Sequence, residues 1–289
     1  KSFVFSPYSI NLIMTMVYQG MDGETKKEYE ELYGLPCDNT NMINELVEFD
    51  KKIQHKDLKT ANAQFVEKEY EKFIKGDFLN KIGETNFIFK LCDFKNNMDL
   101  EREKINDWIE GNTNGLIKNM LNDTAVNNST KMVLVNTLYL EMDWYRNFDY
   151  KDVSNFVKID NTLTKVNLMG FNDTRLCNYY DDNEKQIILI DYDLRNKKVG
   201  KYSLCIVLPR KKGELIPVMD IENYIEKMNK EIVDLKIPEF ECNYEINLKD
   251  FYEKNGLNTA FSNGCDFSKM IDNNNLYISN IIHQAKIIV

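Results

Sequence analysis

The chain has 289 residues and a formal net charge of −9. That acidity argues against nucleic acid and anionic membranes as main partners, and no apolar run reaches the length of a membrane span. The 43% hydrophobic and 12% aromatic content supports a sizeable core, in one large domain or two smaller ones.

Phe3, Val4 and Phe5 predict a short apolar strand. Ser6 then offers an N-cap and Pro7 the first helical position. Ile10, Ile13, Met14 and Val17 recur at helical spacing as far as Gly20, and the helix is apolar enough to be buried. Asp22 caps a second helix through Tyr29, Leu32 and Tyr33, closed by Gly34. A third, more polar helix covers about 41–55. Residues 61–70 read as a strand, 71–82 as a helix and 86–94 as another strand. A helix through Ile105, Trp108 and Ile109 ends in the turn-rich segment 111–115.

Residues 131–148 (KMVLVNTLYLEMDWYRNF) follow. Met132, Leu134, Leu138 and Leu140 share one face of a strand, and Val133, Val135, Thr137 and Tyr139 the other. Both faces are apolar, so the pattern predicts a central strand covered on both sides. Asn136 does not fit. An amide there without partners costs roughly 1–3 kcal/mol, so its partners must come from elsewhere in the chain. On this stretch alone it reads as a satisfied core residue; the sharper reading is a polar lock in a sheet that has to open.

Beyond it the pattern is mostly strands: 156–166, 187–192 and 202–208, then 232–240 and 244–247 after a helix near 217–230. Residues 248–255 form a short helix closed by Gly256, and 276–289 a long final strand. Helices come early and strands late, with no repeat, low-complexity tract or linker. That order predicts an α+β fold with antiparallel or mixed sheets.

A catalytic constellation is hard to assemble. His55 and His283 are the two histidines, and G-x-S-x-G, H-E-x-x-H and a phosphate-binding glycine loop are absent. Six scattered cysteines form no C-x-x-C pair and read as free thiols; with so few histidines no metal site is expected. Asp181, Asp182 and Glu184 lack calcium-loop spacing and read as a solvated turn. Lys51, Lys52, His55, Lys56 and Lys59 offer a basic helix face for a sulfated polysaccharide, diluted by Asp50 and Asp57; a solvated face is the plainer reading. The N-x-S/T sequons at Asn122, Asn127, Asn128 and Asn172, and the lack of a signal-peptide pattern, leave location open between secreted and cytoplasmic. His283 shares a strand face with Tyr277, Ser279, Ile281, Ala285 and Ile287. Its candidate partners are the other polar misfits: Asn136, and Ser6 and Ser9 at the buried helix N-terminus.

These residues resemble the serpin family of protease inhibitors. Phe3 to Ile10 (FVFSPYSI) resembles its strand-to-helix passage. Residues 136–139 (NTLY), with Trp144 and Phe148, resemble the third strand of its main sheet, and 113–118 (TNGLIK) the turn after the helix crossing that sheet. Ile237 and Pro238 through Leu248, then Gly256, Leu257 and Phe261, resemble a later strand–helix segment; Leu276 to Ser279 with His283 to Ala285 resembles the fifth strand. The resemblance implies one α+β domain over 1–289, helices around three mostly antiparallel or mixed sheets, and a monomer without cofactor whose partner is a serine or cysteine protease. It assigns Ser6, Ser9, Asn136 and His283 to the family's shutter, and Trp144 with Glu239 to its breach, where a reactive loop first enters the sheet. Many members carry Lys at the Glu239 position, and 141–143 (EMD) replaces a usual Lys-Gly. It further implies that the reactive loop and the C-terminal strands, like most of the first helix, lie outside this sequence. On that expectation the chain exposes a large apolar groove on a second sheet.

Overall fold

A computed structural model describes residues 2–36, 40–53, 58–85, 87–145, 147–158, 160–171, 176–193, 202–213, 220–272 and 275–289. The elements begin with α1 (Pro7–Tyr18), α2 (Gly23–Tyr33), α3 (Thr40–Ile53), β1 (Leu58–Glu67), α4 (Gly76–Gly83), β2 (Ile88–Cys92), α5 (Phe94–Asn112) and β3 (Met132–Leu140). They continue with β4 (Tyr150–Val157), β5 (Leu163–Phe171), β6 (Leu176–Asp181), β7 (Lys185–Asp191) and β8 (Ser203–Pro209). Next come α6 (Ile221–Ile225), β9 (Asn229–Ile232), β10 (Leu235–Pro238), β11 (Glu241–Asn247), α7 (Lys249–Lys254) and β12 (Asn280–Ile288). Residues 1–140 with 242–287 form one compact unit, and 141–241 with 288–289 a second.

The first unit is built on a five-stranded mixed sheet, ordered β11-β12-β3-β1-β2. β3 pairs antiparallel with β1 and parallel with β12, so it is central as its two apolar faces require. On one face Met132, Leu134 and Ile281 join a core with Leu12, Ile13, Met16 and Val17 of α1. On the other, Phe65, Val133, Val135 and Ile282 pack with Ile105 and Ile109 of α5. Fully burying each such aliphatic side chain contributes roughly 1.5–3 kcal/mol. α1 starts as its sequence dictates: Pro7 occupies the first turn, and Ser6 Oγ accepts the Ser9 N–H at 3.2 Å. α2 ends at Gly34, whose φ of +62° suits glycine. Asp22 stands at the N-cap of α2, but its side chain does not cap; it pairs with Lys269 at 3.0 Å.

Several boundaries differ from the sequence pattern. Residues 3–5 form no strand; no neighbour pairs with them among the described residues, and Phe3 and Phe5 stack on each other at 5.9 Å, exposed. The helix expected over 71–82 is a 3-10 turn, Lys68–Phe73, followed by α4. The last strand begins at Asn280, not 276. Leu276 and Ile278 are fully buried, but their backbone is used elsewhere: Leu276 O accepts from Cys265 Sγ, and Ile278 N–H donates to Ala260 O at 2.9 Å.

The second unit carries an antiparallel three-stranded sheet, β10-β5-β4, and an antiparallel four-stranded one, β8-β7-β6-β9. The expected strand 156–166 is a hairpin of β4 and β5. Asp160 accepts from Thr162 N–H at 2.9 Å and Asn161 takes φ +68°, turn chemistry that overrides the β-rich flanks. The expected strand 232–240 breaks between β9 and β10, which join different sheets. Of the helix expected near 217–230 the described part is α6 alone, and β6 escaped the pattern reading. Gly170 in β5 is forced, because a Cβ there would lie 1.8 Å from Leu235 O of β10. On the four-stranded sheet Leu176, Leu208 and Ile232 are exposed. That sheet carries a groove of about 190 Å³, lined by polar Asn178, Asp191 and Lys230 as well as Leu176 and Ile190. A larger apolar groove, about 530 Å³, lies in the first unit between Phe3, Phe5, Ile10, Tyr244, Phe251 and their neighbours.

A hydrogen-bonded lock across the central strands

Strand register places His283 of β12 opposite Asn136 of β3, and Asn136 opposite Asn62 of β1. The three polar side chains thus form a row across the sheet, and the N-terminus of α1 meets it from one face. Asn136 is fully buried and uses its whole amide. Its Oδ1 accepts from Ser9 Oγ at 2.8 Å and from His283 Nδ1 at 2.7 Å. Its Nδ2 donates to Ser9 O at 2.7 Å and to Asn62 Oδ1. Four bonds saturate the group, which removes the penalty its burial would otherwise carry.

The imidazole tautomer follows from its partners. The Ser6 backbone N–H donates to His283 Nε2 at 3.2 Å, so Nε2 is an acceptor and Nδ1 carries the proton given to Asn136. Burial pushes the His283 pKa down to about 4, against an opposing pull from Asn136. The ring is therefore neutral at pH 7 and fits the network only in that form. Ser6 contributes through its backbone N–H and as the cap of Ser9, and Ser9 through both hydroxyl and carbonyl. All four residues read from sequence as one cluster are brought together. Asn62 was missed. Its signal was an amide in the apolar run 61–66 (ANAQFV), at a position whose partner depends on strand register.

Trp144 and Glu239 lie in the second unit, each with its own partners. Trp144 stacks on Tyr192 at 4.7 Å and meets Phe148 edge-on at 5.2 Å. Glu239 accepts from Lys151 Nζ at 3.1 Å and from Asn167 Nδ2 at 3.2 Å. The Lys151 contact, then Asn167, lowers the Glu239 pKa. Among the described residues the partners of Trp144 are Tyr192 and Phe148, and those of Glu239 are Lys151 and Asn167; the two share none of them.

The other candidate sites are plainer. Lys51 and Lys52 are exposed near the end of α3, with Lys52 Nζ 4.0 Å from Glu48. His55, Lys56 and Asp57 lie outside the described residues. Lys59 is not on that helix: β1 has begun by Leu58, and Lys59 pairs with Tyr139, so a continuous basic helix face does not form. Asp182 Oδ1 accepts the Glu184 and Lys185 N–H groups, both at 2.8 Å, closing the β6–β7 turn. Cys92, Cys177, Cys205, Cys242 and Cys265 form no disulfide; Cys37 lies outside the described residues. Among the described residues no group of three or more His, Cys, Asp or Glu is placed to hold a metal ion, and no helix is long and apolar enough to cross a membrane.

A family model described as Serpin (serine protease inhibitor) matches residues 1–289. The chain belongs to the serpin family. Serpin B10 of Sorex araneus is 29% identical over 329 residues, covering 99% of this chain and 79% of its own. Two solved serpin structures superpose closely. Human thyroxine-binding globulin in complex with thyroxine gives a TM-score of 0.86 at 25% identity, over 100% of this chain and 79% of that one. Native protease nexin-1 with heparin gives 0.87 at 23%, over 100% and 81%. Helices with three sheets, one mixed and two antiparallel, are thus a serpin fold.

Proposed function

We propose that this serpin inhibits a protease by admitting a cleaved loop as an extra strand between β3 and β12. The observation that carries the reading is the seam itself. β3 and β12 pair directly and in parallel over Asn280–Ala285, and the side-chain bond between them is His283 to Asn136. A side-chain lock of this kind releases without breaking a covalent bond. In the family mechanism a serine protease attacks a carbonyl of an exposed loop, the amine product leaves, and the enzyme stays attached as an acyl ester. Insertion of the loop then pulls the protease out of shape before water completes the hydrolysis. The chain supplies no catalytic group in this scheme; it is the substrate and the trap. Ser6, Ser9, Asn136 and His283 hold the seam shut until the loop arrives, with Trp144 and Glu239 as its breach. The test is incubation of the full-length protein with a panel of serine and cysteine proteases. An SDS-resistant 1:1 complex is expected with at least one. Cleavage of the loop by all of them without any complex would sink the reading.

A second reading, a non-inhibitory carrier, is favoured by the apolar groove of about 530 Å³ beside α1, whose size suits a small molecule. Thyroxine-binding globulin, a fold neighbour, is a ligand complex. Binding of an apolar fluorescent probe that is lost on Tyr244→Asp, together with no protease complex, would favour the carrier.

A further inference from the structure

A polar groove of about 660 Å³ opens in the first unit and shares no residue with the lock or with the apolar groove beside α1. Its volume lies in the range of small-molecule sites. Three segments build it. The 3-10 turn Lys68–Phe73 supplies Glu69, Tyr70, Lys72 and Phe73; Lys131 stands just before β3, and Tyr277 before β12. The wall is fixed by the fold. Tyr70 is buried, and its hydroxyl donates to Asn275 O at 2.9 Å. Lys131 is half-buried; its N–H donates to Ser279 Oγ at 2.9 Å, and its Nζ lies 5.5 Å from the centre of the Tyr70 ring. The ammonium is thus positioned before any ligand arrives.

The charge in this groove is unbalanced. Glu69 pairs with Lys131 Nζ at 2.7 Å and with Lys95 Nζ at 3.5 Å, one carboxylate for two cations. Lys72 is exposed, its Nζ lies 4.9 Å from the centre of the Phe73 ring, and among the described residues no carboxylate pairs with it. In a chain of net charge −9 the groove therefore gathers positive charge beside the rings of Tyr70, Phe73 and Tyr277. Rings alone suit an apolar guest, and lysines alone an inorganic ion. Together they select a molecule that has both a ring and an anionic group.

We propose that this groove binds a small aromatic anion, with the charged group at Lys72 and Lys131 and the ring against Phe73 and Tyr277. The site stands apart from strand insertion and holds whether or not the chain inhibits a protease.

The test is a ligand-observed NMR titration of the full-length protein with phenyl phosphate, set against its two halves, inorganic phosphate and phenol. Phenyl phosphate is expected to bind with a Kd of about 1 mM or tighter, and about tenfold tighter than either half. Lys131→Met should weaken it about tenfold, because a charge-assisted contact is lost while Lys95 still pairs with Glu69. Lys72→Met, at an exposed position, should weaken it about threefold. Phosphate binding as tightly as phenyl phosphate overturns the proposal, since the lysines are then an ordinary ion patch. Phenol binding as tightly overturns it too, since the charge then plays no part. So does an unchanged Kd in both lysine variants, or no binding by about 10 mM. If Lys131→Met does not fold, Lys72→Met alone decides by the same criterion.

Discussion

The lock around Asn136 and the carboxylate of Glu239 both gather hydrogen bonds from distant residues, but in opposite surroundings. Asn136 is fully buried and receives or gives four bonds; Glu239 sits at the surface of the second unit with two. Water can replace any partner Glu239 loses, and it cannot reach Asn136. The difference teaches that the weight of a polar contact here is set by what replaces it when it breaks, not by how many bonds it makes.

The sharpest way to break the comparison is Asn136→Ala. It leaves the Ser9 hydroxyl, His283 Nδ1–H and Asn62 Oδ1 buried without their partner, and opens a cavity in the central strand. A loss of about 3–5 kcal/mol is expected, read as the urea midpoint, with faster self-association on warming. A loss under about 1 kcal/mol would mean that the network rearranges, and that saturation of the amide is not what holds the seam.

Acid tests the same cluster without a mutation. His283 has its pKa lowered to about 4 by burial, below the ordinary 6.5 of the unfolded chain. Between those values the unfolded state binds the extra proton and the folded state does not. Stability is therefore full above pH 6.5 and falls as pH drops through the window to about 4, by roughly 3 kcal/mol. Protonation also turns Nε2 from acceptor to donor and sets it against the Ser6 N–H. Ser6, Ser9, Asn62 and Asn136, its neighbours in the network, carry no charge to hold an imidazolium. Carboxylates titrate in the same range, so the measurement is the difference between the protein and His283→Gln. The stability of the protein relative to that variant should fall by roughly 3 kcal/mol from pH 6.5 to 4, since only the protein carries the titrating ring; a constant difference contradicts the assignment.

The first unit was more legible in sequence than the second, and the reason is physical. Ser6 and Pro7 start α1 by local chemistry, and β3 shows two apolar faces because it is central. His283, Asn136, Ser6 and Ser9 stood out because polar residues in apolar runs must find one another. What remained hidden depends on register and competition. Asn62 joins the lock only because β1 sets it opposite Asn136. The turn at Asp160 and Asn161 divides what reads as one strand, and Leu276 and Ile278 are buried yet bonded away from the sheet.

Asn62→Ala grades the lock from within. It removes one acceptor from Asn136 Nδ2, which keeps its bond to Ser9 O at 2.7 Å. The expected loss is about 1–2 kcal/mol, well under that of Asn136→Ala, because one half-satisfied donor remains instead of three orphaned groups. A double variant should lose little more than Asn136→Ala alone, since the two residues act through one bond. Full additivity would show that Asn62 supports β1 by packing and not by that contact.

Glu239→Gln should move stability least. The amide keeps an acceptor oxygen for one of Lys151 and Asn167, and both partners are exposed, so water takes the place of the lost oxygen for the other. The pair lowers the Glu239 pKa, so its contribution is present above the ordinary carboxylate range and disappears as pH falls through the lowered value. The urea midpoint at pH 7 is expected to stay within error, and 1 M salt should remove any residue of an effect. If the breach reading holds, the rate of protease trapping can still change while stability does not, because the exposed carboxylate then faces an incoming loop and not the folded core. A midpoint shift as large as that of Asn62→Ala would mean that the second unit depends on this carboxylate, and the contrast between the two regions would fail.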